Sequence, residues 1–181
     1  HQRGQIPFED MGPDLYDAVE DAVEGPSAYE SYEASRFARE RATLVEAPFT
    51  FQLEPGYRVR GRIDAIYVDG EHWEVVDFKS GRPKEDPSRI VQLEAYAVAV
   101  RDVDFSVAKP GTVDVTFAYL GGGLEEVTNR ADAAWVADAR DHLQKLVDAI
   151  RAEEFTPRPG DWCRSCDFLR FCEPGLMEVS G

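Results

Sequence analysis

Positive charge is in short supply in this sequence: 20 Lys and Arg stand against 35 Asp and Glu, for a formal net charge of −15. That excludes a uniformly basic surface, the usual footprint of a nucleic-acid binder. Long apolar runs are missing too. None approaches the roughly 20 residues that cross a bilayer, so no membrane span and no membrane partner is expected. The first residues, HQRGQIPFED, lack the basic-then-apolar pattern of a secretory signal. The chain opens on His1 rather than Met, and is expected to be a segment of something longer. Cysteine is limited to Cys163, Cys166 and Cys172, all near the C-terminus. An odd, clustered set does not make a disulfide framework, and points instead to metal or cluster ligation in a reducing, cytoplasmic compartment. There is no internal repeat and no low-complexity tract.

What remains is a chain of 181 residues, 43% hydrophobic, long enough for one domain with an apolar core. The charge is unevenly spread. Between Tyr57 and Arg101 the bases (Arg58, Arg60, Arg62, Lys79, Arg82, Lys84, Arg89, Arg101) equal the acids in number, so the negative excess lies in the flanks. A neutral, Arg-rich middle is compatible with DNA as a partner. Helical spacing marks 13–24 and 27–42, separated by Gly25-Pro26, with Ser27 as N-cap and Glu30 at the capping-box position. The period then changes to that of strands over 45–54, 57–68 and 71–78. An amphipathic helix follows from Pro87 to about Arg101, then strands over 112–119 and 124–128 around a Gly121-Gly122-Gly123 turn, then a helix from Ala131 to about Glu153. The tail, rich in Pro and Cys, reads as irregular. The order ααβββαββα implies a mixed α/β domain with helices flanking a sheet.

The chemistry concentrates on one hairpin. With Asp69-Gly70 as a two-residue turn, Val68 faces Glu71 and Asp64 faces Val75. Opposed residues share a face, so Asp64, Asp77 and Lys79 project to the same side, and the two Asp become diagonal neighbours roughly 7–8 Å apart. Asp77 and Lys79 stand in WEVVDFKS, a run apolar on both faces that suits a central strand. Burying a carboxylate and an ammonium there costs several kcal/mol unless each is paired or metal-bound. An isolated Asp-x-Lys is ordinarily an ion pair at a sheet rim. The paired Asp64, the apolar context, and Gln92 and Tyr96 four apart on the following helix make it a candidate active site.

GRIDAI, then VVDFKSG, then QLEAY resembles the RecB-like (AddB-like) branch of the PD-(D/E)XK nuclease superfamily, closely over about 57–100. The resemblance implies a restriction-endonuclease-like core with a central mixed sheet, and hydrolysis of DNA phosphodiester bonds. It implies Asp64, Asp77 and the backbone carbonyl of Phe78 as ligands of Mg²⁺ or Mn²⁺, and Lys79 as the catalytic lysine. Gln92 and Tyr96 match the motif that holds the DNA backbone and forms the active-site wall. Hard oxygen donors with one lysine suit such cations. A helicase domain of UvrD-like type, in the same polypeptide or complex, is the partner the resemblance suggests, with a role in DNA end processing, recombination or repair.

In FTPRPGDWCRSCDFLRFC, Cys163 and Cys166 form a C-x-x-C pair and Cys172 follows after five residues. Two cysteines so spaced chelate one soft centre. The pattern resembles the tail of the iron–sulfur members of the family, where three such cysteines join an upstream fourth around a 4Fe–4S cluster. This sequence has no fourth cysteine, and His1, His72 and His142 lack motif-like spacing. The histidine followed four residues later by Glu that relatives carry upstream is also missing: His1 is followed by Gly4 and Pro7, which do not suit a helix. The expected division is 1–44 as a helical N-terminal part, 45–155 as the nuclease core and 156–181 as the cysteine tail. The competing readings are an inactive nuclease-like DNA-binding or scaffolding module and a CRISPR-type exonuclease.

Overall fold

The computed structural model describes residues 25–83 and 87–180; the expected helix over 13–24 and His1 lie outside them. The chain divides into two units, one through Gln144 and one from Lys145 onward.

The first unit is built on five strands: β1 (Leu44–Glu54), β2 (Tyr57–Asp69), β3 (His72–Lys79), β4 (Thr112–Tyr119) and β5 (Glu125–Arg130), with helix α1 (Ala28–Ala34) ahead of them and α2 (Pro87–Asp102) between β3 and β4. The sheet order is β1-β2-β3-β4-β5. β3 and β4 run parallel, joined by the crossover through α2, and the other neighbours are antiparallel. β3 is the central strand, as its two apolar faces imply. On one face, Trp73 and Val75 pack with Ile63, Ile66, Val113 and Val115 beneath α2. On the other, Val76 and Ala65 pack with Phe37 and Ala118.

α1 begins as its capping signature requires. Ser27 accepts from the Glu30 N–H, and the Glu30 carboxylate reaches back to the Ser27 N–H at 2.8 Å. The helix stops at Ala34, however, rather than continuing to residue 42. Ser35 turns its N–H and hydroxyl back onto the Tyr32 carbonyl, and Phe37 leaves the helix path to pack edge-on against Phe78 and tilted against Tyr67. Burial of one aromatic ring against the sheet outweighs local helix propensity.

α2 is buried all round from Leu93 to Val100, apart from the polar groups at its ends, and is not the amphipathic helix that its spacing suggested. α3 (Ala133–Arg151) starts where Asp132 accepts the Trp135 N–H. The tail is more regular than its composition implies. In the second unit, two 3₁₀ turns, Asp161–Ser165 and Leu169–Phe171, lead into helix α4 (Glu173–Ser180), which has Pro174 in its first turn, where a missing N–H costs nothing. Among the described residues no helix is long and apolar enough to cross a membrane.

Candidate active site

The β2–β3 hairpin closes on Gly70-Glu71 rather than on Asp69-Gly70. Asp69 pairs with His72, and the register continues Val68–Trp73, Tyr67–Glu74 and Ile66–Val75. Gly70, at φ +59°, takes the first loop position, which a II′ turn reserves for glycine; an Asp69-Gly70 loop of type I′ would need Asp69 there as well at positive φ. The register therefore moves by two residues, which alone would preserve every face. Alternation breaks between Ile63 and Ile66, however, so Asp64 borders the cavity lined by Phe37, Tyr67 and Phe78 and does not share the α2 side of Asp77 and Lys79 as expected. Asp64 comes level with Asp77 instead of diagonal to it, and the ladder opens there, with Ala65–Val76 as its last pair.

At that opening the Phe78 N–H donates to Asp64 Oδ2, 2.9 Å. Burial, and next the Asp77 charge, push the Asp64 pKa up to about 6 against the restraint of that hydrogen bond. Glu46 of β1 adds to the repulsion. It lies opposite Asp64 in the β1–β2 register, at φ +51°, with its carboxylate 3.2 Å from Arg62. Side-chain alternation breaks here in both strands: Leu44 and Ala47, like Ile63 and Ile66, are three apart yet join the same core. Nothing in the residue pattern marks Glu46 beyond that break in period. Asp64 and Glu46 border an open cavity of about 740 Å³, walled by Tyr32, Phe37, Arg41 and Tyr67.

Asp77 and Lys79 lie on the α2 side of β3, 2% and 5% exposed. Lys79 Nζ is 2.9 Å from Asp77 Oδ2 and donates to Gln92 Oε1 at the same distance. Gln92 Nε2 donates to Asp77 Oδ1, 2.7 Å, and to the Tyr96 hydroxyl, 2.8 Å. Tyr96 in turn donates to the Arg62 carbonyl at 3.0 Å, with Asp77 Oδ1 as its alternative acceptor at 3.1 Å. Burial, then the nearby Asp77 charge, hold the Tyr96 pKa well above that of an ordinary phenol, so it stays a neutral donor. The spacing of Gln92 and Tyr96 thus closes a ring around the buried acid and lysine, and Lys79 also lies over the Phe117 ring. Gly121 lets the end of β4 approach the chain just beyond Lys79, a constraint the glycine run alone did not reveal. A Cβ there would stand 2.6 Å from the Gly81 carbonyl carbon, and its N–H bonds the Gly81 carbonyl at 3.1 Å.

All five side chains singled out on the hairpin and α2 are therefore gathered around the opening between β2 and β3. Among the described residues no three His, Cys, Asp or Glu side chains converge as a ready metal cage. Two carboxylates, one of them under electrostatic stress that a cation relieves, nevertheless fit a hard divalent ion that keeps several waters.

In the second unit, Cys163 is buried and Cys166 exposed. Cys172 and Cys163 share Gly175 as a neighbour, since a Cβ on it would meet their sulfurs at 3.4 and 3.5 Å. Two thiols flank one point and the third faces outward, so these residues by themselves do not fit a cluster. His72 is bonded to Thr112 and near Asp114, and His142 to Glu94. Neither approaches a ligand set.

A mixed sheet whose central strand is parallel to one neighbour and antiparallel to the other, flanked by helices, is a restriction-endonuclease-like fold. The family description of the PD-(D/E)XK nuclease superfamily matches residues 7–173, and the chain belongs to that superfamily. The Gene 69 proteins of Mycobacterium phages L5 and D29 are 33% and 31% identical to it over 131 residues, 71% of this chain but 43% and 47% of theirs. The chain thus spans less than half the length of these curated relatives. Among solved structures, SSO0001 matches with a TM-score of 0.48 and 20% identity, over 72% of this chain and 59% of that one. A candidate exonuclease from Eubacterium rectale matches with a TM-score of 0.45 and 14% identity, over 79% and 57%.

Proposed function

We propose that this domain hydrolyses DNA phosphodiester bonds with a divalent cation, with Asp64, Asp77 and Lys79 as its catalytic residues. The observation that carries the reading is the buried Asp77–Lys79 pair, held by Gln92 and Tyr96 beside a half-buried Asp64 whose charge is poorly accommodated without a cation. Asp64, Asp77 and the Phe78 carbonyl would hold Mg²⁺ or Mn²⁺. When bound, such an ion lowers the pKa of a coordinated water and offsets charge on the phosphate. The chain's own contribution is positional. Lys79 Nζ is fixed between Asp77 and Gln92, which places its positive charge for the attacking water. Gln92 and Tyr96 brace the acid from the α2 side as the wall of the site, and the Phe78 N–H keeps the Asp64 carboxylate turned into the opening.

Exonuclease action, a UvrD-like helicase domain in the same polypeptide or complex, and a place in DNA end processing, recombination or repair rest on the RecB-like arrangement of the motifs. The cysteine tail takes no part in the reaction as proposed. The test is cleavage of single- and double-stranded DNA with Mg²⁺ or Mn²⁺. Lys79→Ala is expected to lower the rate by at least about 10²-fold, the scale of a positioned proton-transfer or water-orienting group, while DNA binding persists. Cleavage equal to the unaltered chain would overturn the assignment. Binding without any cleavage by the unaltered chain would favour a nuclease-like binding module instead.

A further inference from the structure

Arg58, Arg60 and Arg62 occupy alternate positions of β2 and are all exposed. The residues between them, Val59 and Gly61, face the core. Val59 packs there directly, and the Phe49 ring takes up the space over Gly61, 2.7 Å from where a Cβ would stand. The strand thus sorts its side chains strictly, and the three guanidinium groups share one face. Their partners across the ladder are Gln52, Thr50 and Pro48, which are exposed and uncharged. Six exposed positions of this hairpin face therefore carry three positive charges and no negative one, in a chain of net charge −15.

Three other arginines of this unit are put to a different use. Arg36 is spent on Glu74 and Glu126, Arg130 on Asp114 and Arg140 on Asp102. Arg58 and Arg60 make no ion pair or side-chain hydrogen bond among the described residues, while Arg62 meets Glu46 at 3.2 Å with both side chains largely exposed, an interaction worth little. Charge placed to discourage sheet-edge pairing belongs on the edge strand. Here β1 is the edge and the arginines lie one strand inside it. Their position also has a direction: two residues beyond Arg62 the strand reaches Asp64 and the cavity beside it. Alternate residues of a strand are about 6.6 Å apart, close to the separation of successive phosphates along a nucleic-acid backbone.

We infer that the Arg58–Arg60–Arg62 face is a track for the phosphate backbone of the substrate strand, leading it to Asp64. The inference rests on the nuclease reading for its substrate but on different residues. It supplies, on one face, the positive charge that the chain as a whole lacks. Contacts of this kind position the strand without reading its sequence.

The test uses a short fluorescein-labelled single-stranded oligonucleotide and its duplex, bound in EDTA over a series of salt concentrations and followed by anisotropy. The variants are Arg58→Ala/Arg60→Ala and Arg58→Lys/Arg60→Lys, with thermal melts to confirm folding. The alanine pair is expected to bind roughly tenfold or more weakly whatever the sequence. Its plot of log affinity against log salt should flatten by about 1.5, two phosphates' worth of released counterions. The lysine pair should keep the original slope. Cleavage by the alanine pair should show a raised KM with kcat little changed. An alanine pair that binds with unaltered affinity and slope overturns the track, and if the unaltered chain cleaves DNA the nuclease reading survives that result. Salt-dependent binding through these arginines with no cleavage overturns the nuclease reading and leaves the track standing. No binding by the unaltered chain, or displacement by polyglutamate as effective as by unlabelled DNA, overturns the track as well.

Discussion

The two faces of the sheet meet at the opening between β2 and β3, and they are built on opposite principles. On the α2 face, Asp77 and Lys79 are almost wholly buried and are held by the Gln92–Tyr96 brace. On the other face, Asp64 is half-buried, keeps one backbone hydrogen bond, and borders an open cavity beside a row of exposed arginines. The first face can hold charge out of water because every charged group there has a partner at hydrogen-bond distance. The second accepts an unrelieved negative charge and a large opening, as a surface must if ions and a polymer are to enter. On the proposed nuclease reading, a rigidly held charged pair on one side and an accessible, charged approach on the other is the division of labour expected of an enzyme acting on a long anionic substrate.

The sharpest way to break this contrast is to open the closed face. Gln92→Leu deletes the acceptor of Lys79 and a donor to Asp77 together while keeping the volume nearly constant. Leaving buried charged groups with fewer partners is expected to cost about 2–4 kcal/mol. Cleavage should fall by about 10–100-fold, the scale seen when outer-shell partners of a metal site are lost. Denaturant unfolding and steady-state kinetics measure the two effects. A variant as stable and as active as the original would mean that the ring is ornamental and the faces do not differ as argued.

The open face is sharpened by pH. Without divalent metal the folded protein holds the Asp64 proton up to about pH 6, whereas the unfolded chain releases it near its ordinary value of 3.8. The sign follows from that order. The proton stabilises the fold fully below about 3.8, and that contribution is lost as pH rises through about 6. Stability in EDTA is therefore expected to decline across this window and to be restored above it by Mg²⁺ or Mn²⁺, which binds only the folded site. Asp64→Asn should flatten the decline and remove the metal's effect. A decline of unchanged size in that variant would place the stressed carboxylate elsewhere.

Most of this arrangement could be read from residue spacing, and the parts that could not have identifiable causes. The strands and α2 follow from local period and from breakers such as Pro55-Gly56, so their order was legible. The shared side of Asp77 and Lys79 was legible because side-chain alternation is strict within one strand. The pairing register was misplaced by two residues because Asp-Gly is compatible with more than one loop, and only Gly70's conformation decides between them. The shortened α1 depends on Phe37 meeting Phe78 and Tyr67, contacts between distant parts of the chain that leave no local trace. Glu46 leaves no local trace for a similar reason, since its positive φ arises where two strands lose alternation together. The helical spacing of Gln92 and Tyr96 puts both on one side, and the resemblance of QLEAY to the family motif makes them site residues. The bonds of Gln92 to both Asp77 and Lys79, and of Tyr96 to Asp77, rather than a role only as a wall, emerge from the closed ring.

The smallest expected effect concerns the second unit, which carries the same contrast between closed and open in miniature. Cys163 is buried, Cys172 is partly covered and shares the Gly175 contact with it, and Cys166 is exposed. A buried thiol packs as a small apolar group and tolerates the lack of a ligand, unlike a buried carboxylate or ammonium. That is why three free thiols are tolerated here, whereas the charged groups of the α2 face need their partners. Thiol reactivity follows thiolate access, so a disulfide-exchange reagent should modify Cys166 first and Cys163 last. Mass spectrometry of the partly reacted protein gives the order directly. Protection of all three at once would show that a soft centre already ties them together, and would transfer the tail from the open to the closed category. Sequential reaction in the expected order would leave it as a region of three free thiols.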